Sequence, residues 1–242
     1  MQPYFFPYIG YYQLAYLSDQ FIFLDDVHFR KKGFIHRNHI AETWHDDPLQ
    51  RHATPRRFSM PVHKMSQNRL IKDHYYITNF DKFLTLLHQT YKNAPYYDQG
   101  IELVEKTLEW NQSEPSSFCV SEVNQRSIQL VFDYLKIPFV SVQSSQLDPN
   151  PSLHAQDRIL KLCHLSKAQV YINLSGGRAL YSIEAFQHNK LHLLFLNCFS
   201  SPHEKCSIHQ HHLSSLSILD LIMGHSPQEI RTMLDLCCTT LL

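Results

Sequence analysis

The stretch Gln2 to Arg37, QPYFFPYIGYYQLAYLSDQFIFLDDVHFRKKGFIHR, decides how the rest of the chain is read. Pro3 and Pro7 bracket three aromatic residues, so this piece is extended or turned. Tyr11 to Leu17 offers a short helix with Leu14 and Leu17 on one side. Phe21-Ile22-Phe23-Leu24 is a short continuous apolar run, the pattern of a strand covered on both faces. Asp25 and Asp26 end it, and His28, Arg30, Lys31, Lys32, Gly33, His36 and Arg37 follow. Carboxylates, imidazoles and cations at the carboxyl end of a buried strand stand where open α/β sheets hold their ligands. Such a plan calls for another strand before Gln2, so either a first strand is very short or the native start lies upstream of Met1.

Further along, residues 38–80 are polar and punctuated by proline, with a short strand expected at Phe58 to Val62. Phe83, Leu84, Leu86, Leu87 and Tyr91 recur at helical spacing, as do Ile101, Leu103, Val104, Leu108 and Trp110. A third helix is expected from Pro115 to Leu135. Strands then alternate with helices: Ile137–Val142, a helix from His154 to Leu165, Gln169–Leu174, a short helix to Phe186, and Leu191–Leu196. This rhythm argues for crossovers and a parallel sheet. Helices at Leu213–Met223 and Pro227–Leu236 close the chain. The expected fold is therefore one α/β domain over residues 1–242. It is three-layered, with a largely parallel sheet of Rossmann-like or nucleotidylyltransferase type and a helical insert at about 81–136.

Composition narrows the function classes. With 242 residues, 43% hydrophobic and 12% aromatic, the chain can bury one large core. Its 22 basic and 22 acidic side chains balance, which disfavours a nucleic-acid partner and leaves room only for local basic sites. The 17 histidines can each charge below neutral pH. Six scattered cysteines without a C-x-x-C pair argue against a zinc ribbon or a disulfide scaffold. No run approaches the ~20 apolar residues of a membrane span, and no signal peptide is evident. A cytoplasmic location is expected.

The assembled motifs resemble the bacterial WbqC-like family: QPYFFPYIGYYQL, LDDVHF, KKGFIHRN, the later MPV, YKNAPYY, VSVQSSQL, YINLSGGRALY and LSILDLIM. That resemblance covers nearly the whole chain. It implies a bacterial protein whose relatives often belong to gene sets for surface polysaccharide or other secondary biosynthesis, without a defined reaction. Relatives usually carry a short apolar strand ahead of Gln-Pro-Tyr. They often have Tyr and Gln where this chain has histidines around Gln210. A weaker, fold-level similarity links the first unit to nucleotidylyltransferase-type folds, in which a His signature holds ATP phosphates; Tyr11 and Tyr12 stand in those places here.

Several residues are candidates for chemistry. Asp25, Asp26 and His28 can supply a general base or meet a divalent cation. Adjacent strand residues face opposite ways, so one aspartate is expected in the site and the other at a turn, with His28 on the face of Asp26 if the strand continues. Gln2, Tyr4, Gly10, Tyr11 and Gln13 are candidates for lining a pocket. Arg37 and Asn38 are placed to grip a phosphate or carboxylate, as are His63 and Lys64, whereas Arg30, Lys31 and Lys32 read as a solvated face. Ser175, Gly176, Gly177 and Arg178, between a strand and a helix, can cradle an anion, and Ser144 and Ser145 can line the same rim. His203, His209, His211 and His212 lack a fixed metal-ligand spacing, so no metal site is expected. The reading is a transferase of acyl, aminoacyl or nucleotidyl groups acting on a nucleotide-sugar or phosphorylated precursor, with nucleotide plus magnesium as the candidate cofactor. The alternative is a non-catalytic binding or scaffold protein. Oligomeric state is left open.

Overall fold

The computed structural model describes residues 1–44, 55–109, 118–197 and 216–241. Helix α1 (Ile9–Tyr16) leads into strand β1 (Phe21–Phe23), whose phenylalanines join α1 in the main core. Strands β2 (Arg37–Ala41) and β3 (Pro55–Ser59) pair antiparallel, with Asn38 opposite Phe58. Three helices follow, α2 (Asp81–Tyr91), α3 (Tyr97–Leu108) and α4 (Val120–Tyr134). Strand β4 (Ser141–Gln143) runs directly into the short α5 (Ser144–Leu147) and then α6 (Ala155–Leu165). The chain continues through β5 (Val170–Leu174), a 3-10 turn (Ser175–Leu180), α7 (Ile183–His188) and β6 (His192–Asn197). It ends with α8 (Ile218–Gly224), α9 (Pro227–Leu234) and β7 (Cys238–Leu241).

The fold is mixed α/β, but the strands do not form one sheet among the described residues. β1 pairs parallel with β4, β5 pairs parallel with β6, and β7 adds antiparallel to β6. The sequence rhythm assigned β4 to the same sheet as β5. Instead β4 is short, and its partner is β1, more than a hundred residues earlier. β1 and β5 are edge strands, and both border a cleft of about 410 Å³. On the free edge of β1, the Met1 amino group donates to the Ile22 carbonyl at 2.7 Å and the Leu24 N–H donates to the Met1 carbonyl at 2.7 Å. That is a one-residue parallel pairing where a first strand was expected. The strand expected at Phe58–Val62 lies instead at Pro55–Ser59, its partner β2 and the strand β7 were not anticipated, and the expected start of α4 at Pro115 lies outside the described residues.

Why these segments adopt these shapes is clear from their apolar spacing. In α4, Val120, Val123, Asn124, Ser127, Ile128, Val131 and Phe132 are buried, the i, i+3, i+4 stripe of a core helix. Gly100 on α3 faces Met223 on α8 so closely that an added Cβ would lie 2.4 Å from its sulfur, which explains a glycine inside that helix. Helix α9 starts with a capping box, Ser226 with Glu229, and Pro227 in its first turn. The main core spans Phe5 to Leu234, and a smaller cluster of Leu160, Cys163, Phe186, Leu193 and Phe195 joins α6 and α7 to β6.

The amino-terminal segment is pinned by buried polar groups. Phe6, fully buried, sits at φ 42°, a left-handed conformation that a bulky residue adopts only under constraint. Its carbonyl accepts from Asn38 Nδ2 at 3.0 Å and Ser217 Oγ at 2.7 Å, and its N–H donates to Ser127 Oγ at 3.3 Å. Asn124 holds the neighbouring loops. Its amide donates to the carbonyls of Pro3 at 3.0 Å and Ile35 at 2.7 Å, and its oxygen accepts from Tyr76 at 2.7 Å.

Candidate functional site

Because β1 stops at Phe23, Asp25 and Asp26 lie in a turn and the alternation of a strand does not separate them. Both carboxylates turn toward Ser144, the first residue after β4. The Ser144 hydroxyl lies 2.5 Å from Asp26 Oδ1 and 3.1 Å from Asp25 Oδ1. It has one proton to give, so it serves the two oxygens as a shared donor. Asp25 also accepts the Ser145 N–H at 3.0 Å, at the amino end of α5, and the Ser145 hydroxyl at 2.5 Å. Asp26 receives the Arg158 guanidinium from α6, with Nη2 2.5 Å from Oδ2. Asp25 is 2% exposed, Asp26 5% and Arg158 7%. Two carboxylates, two hydroxyls and one guanidinium thus meet, almost dry, where the carboxyl ends of two parallel strands lie side by side.

The node opens outward at Asp25 and Ser145. Asp25 and Ser145 line a cleft of about 250 Å³ together with Lys72, Asp73, Cys119 and Glu122. Three carboxylates against one ammonium make that cleft acidic. Cys119 is buried, its thiol pushed to higher pKa by burial and donating to the Lys72 carbonyl at 3.3 Å, so it is no activated nucleophile. Among the described residues no group of three or more His, Cys, Asp or Glu side chains is arranged to hold a metal ion.

The other sequence candidates are distributed elsewhere. His28 is exposed and its backbone bridges Leu70, so it does not share a face with Asp26. Arg37 donates through Nε to the Gly33 carbonyl at 2.8 Å and through Nη2 to the Lys32 carbonyl, which commits its fork to the loop instead of an anion. Asn38 is buried against the Phe6 carbonyl. His63 and Lys64 are exposed, with the Lys64 carbonyl accepting from Arg69 at 3.2 Å. Tyr11 donates to the Gln2 carbonyl at 2.9 Å and Gln13 to the Met233 carbonyl at 2.8 Å; with Gly10 they are core residues. Tyr4 is partly buried, its ring 6.2 Å from Phe34, and its hydroxyl donates to Gln2 Oε1 at 3.4 Å.

Ser175, Gly176, Gly177 and Arg178 form the 3-10 turn after β5, and Gly177 packs against the Asn173 amide. They share no hydrogen bond with the Asp25–Ser145 node among the described residues. His203, His209, His211, His212, Cys198 and Cys206 lie outside the described residues. Arg158 is the site residue the sequence reading did not single out. The available signal was an arginine on the same helical face as Leu162, four residues on, where an apolar side chain was due.

The WbqC-like family model matches residues 2–232. The chain belongs to the WbqC-like protein family. No curated protein and no solved structure matches it. Membership in the WbqC-like family agrees with the resemblance carried by the amino-terminal block, the segment that also forms the β1 end of the node. Among the described residues no helix is long and apolar enough to cross a membrane.

A buried histidine sets an acid limit on this fold. His36 is 4% exposed, its ring 5.3 Å from Phe29, and its Nδ1 has no partner among the described residues. Burial, with the positive charge of Arg37 and the ring of His74 close by, pushes its pKa from 6.5 down to about 4. A base whose folded pKa is depressed leaves stability intact above pH 6.5 and removes it as pH falls toward 4, because the unfolded chain takes the proton first. The expected loss is about 3 kcal/mol over that window. Urea unfolding of wild type and His36→Phe at several pH values checks it: the variant's stability should fall less on acidification. An equal fall in both would remove His36 from the account.

Proposed function

We propose that this WbqC-like protein is a transferase whose acceptor group sits in the Asp25–Ser145 cleft. In this reading it acts in the cytoplasm on a nucleotide-sugar or phosphorylated precursor in surface-polysaccharide or secondary-metabolite biosynthesis. The observation that carries the reading is Asp25: a buried carboxylate at the carboxyl end of a parallel strand, held by Ser145 and Ser144, and open to a cleft on one side. A carboxylate so positioned is oriented to take a proton from an acceptor hydroxyl or amine, and an acidic cleft favours such neutral or cationic groups over bare phosphate. Asp26 serves as a positioning residue, tied to Arg158. The three-layer, Rossmann-like plan over one domain belongs to this proposal. It is supported by the edge strands β1 and β5 both lining one cleft.

The second reading is a non-catalytic binding protein. It is favoured by the saturation of both carboxylates with the protein's own donors, the arrangement of a structural latch. Asp25→Asn separates the two. A general-base role contributes about 10²–10⁴-fold, so the variant should lose turnover by that order while retaining ligand. The substrate pair comes first from thermal shift with nucleotides, nucleotide-sugars and acyl-CoA, each with and without magnesium; a ligand at ~100 Kd adds about 2.7 kcal/mol. Turnover unchanged in Asp25→Asn would sink the catalytic reading.

A further inference from the structure

We propose that the depression bounded by His28 to Gly33 and Gln67 is a binding site for the pyrophosphate of a nucleotide-linked ligand, separate from the acidic cleft beside Asp25. Its volume is about 630 Å³. Arg30, Lys31 and Lys32 are exposed around it, and none forms an ion pair with a carboxylate among the described residues. In a chain whose 22 basic and 22 acidic side chains cancel, three adjacent unneutralised cations at one concavity create a local positive potential. Phosphate oxygens are the group such a potential selects, and guanidinium with ammonium donors bind them through charge-assisted hydrogen bonds.

The loop that carries these cations is preorganised. Arg37 clamps it from inside, through the carbonyls of Gly33 and Lys32, and the Gly33 N–H donates to the Arg30 carbonyl at 3.0 Å. At its base the Phe29 N–H donates to the Arg69 carbonyl at 3.0 Å. The arginine expected to hold the anion therefore shapes the loop, and its three cationic neighbours are left to face outward. An aromatic wall stands beside them: Phe34 is 44% exposed and its ring lies 6.2 Å from Tyr4, whose phenol feels the charge of Arg30. Exposed ring faces next to cations can stack a base while its phosphates are gripped.

One pair of backbone segments joins the site to the cleft: Phe29 donates its N–H to the Arg69 carbonyl, Ile71 to the Val27 carbonyl and Lys72 to the Asp25 carbonyl, around the bridge of His28 with Leu70. This division of labour rests on the proposed transferase only in assigning both halves to one substrate: phosphates on the cationic loop, the reacting group in the acidic cleft. Binding of the phosphates stands without it.

Titration calorimetry of the whole protein with uridine diphosphate and with inorganic pyrophosphate tests the assignment, using wild type, Arg30→Ala, the double variant Lys31→Ala/Lys32→Ala, Phe34→Ala and Asp25→Asn. The expected result is binding of both probes that weakens with salt and falls by about tenfold or more in the cation variants, whose exposed side chains leave thermal unfolding unchanged. Phe34→Ala should weaken uridine diphosphate and spare pyrophosphate, while Asp25→Asn should spare both. No binding to wild type at about 1 mM, or affinity unmoved by the cation variants, would overturn the site. Equal affinity for the two probes, insensitive to Phe34→Ala, would overturn its nucleoside half. Because this proposal is decided by phosphate binding in the cation variants and the transferase by turnover in Asp25→Asn, the two can fail separately.

Discussion

Replacing Arg158 by methionine should destabilise the protein by about 3–5 kcal/mol, because it leaves the Asp26 carboxylate buried without its cation. Asp26 would keep only the Ser144 hydroxyl, which it shares with Asp25 across 2.5 and 3.1 Å. Two buried carboxylates would then divide one hydroxyl proton, the Ser145 N–H and the Ser145 hydroxyl. A compensating gain places the result toward the lower end. Arg158 Nε is buried with no partner among the described residues, and its removal relieves a penalty of about 1–3 kcal/mol. Equilibrium urea unfolding at neutral pH reads the difference as a shift in midpoint at constant slope. The double variant Asp26→Leu/Arg158→Met should recover most of the loss, since an apolar pair of similar volume has no charge to strand. A single variant within about 0.5 kcal/mol of wild type would mean that the pair is dispensable, as most surface pairs are.

Asn124→Leu should cost a comparable amount, about 3–4 kcal/mol, by a different route. The amide is a junction: it joins α4 to the Pro3 carbonyl, the Ile35 carbonyl and the Tyr76 hydroxyl. Leucine fills a similar volume, so little cavity forms, but two carbonyls and a phenol lose buried partners at once. Chemical unfolding measures the loss. A finer check is Tyr76→Phe in the Asn124→Leu background. With the phenol's partner already gone, removing its hydroxyl should recover part of the loss, so the two effects should fall short of additivity. Full additivity would show that the junction is not one unit. The consequence reaches function, since the same contacts fix the loop of residues 28–37 that carries the proposed phosphate site.

Much of the local structure was readable in the chain. Helices α2, α3 and α6 follow the apolar spacing of Phe83 and Leu87, Leu103 and Val104, and Leu162 and Cys163, because 3.6-residue periodicity survives whatever packs against it. The aspartates after the run Phe21 to Leu24 marked the right strand end, and Ser144–Ser145 marked the end of another strand, which the sequence set beside β5 and the structure pairs with β1. Only the end of β3 was legible, at Phe58–Ser59, because Pro55 to Arg57 read as polar and a one-sided edge strand with only Phe58 buried carries a weak signal; its partner β2 was not read at all. Arg37 was misread for another reason: a guanidinium suits backbone carbonyls as well as phosphate, and only the loop's path decides which it meets.

By itself, the sequence determined the family, the helices, the two parallel-strand ends and the residue types that meet there. These depend on short-range periodicity and on side-chain chemistry, both written locally. Tertiary structure alone decided that β1 pairs with β4, that Ser144 is shared between adjacent aspartates, and that Arg158 completes the node from 132 residues away. It also decided that Arg37 points into its own loop while Arg30, Lys31 and Lys32 point out. Pairings across such separations are selected by the total burial and hydrogen-bond satisfaction of the folded chain, a sum to which no single segment contains the terms.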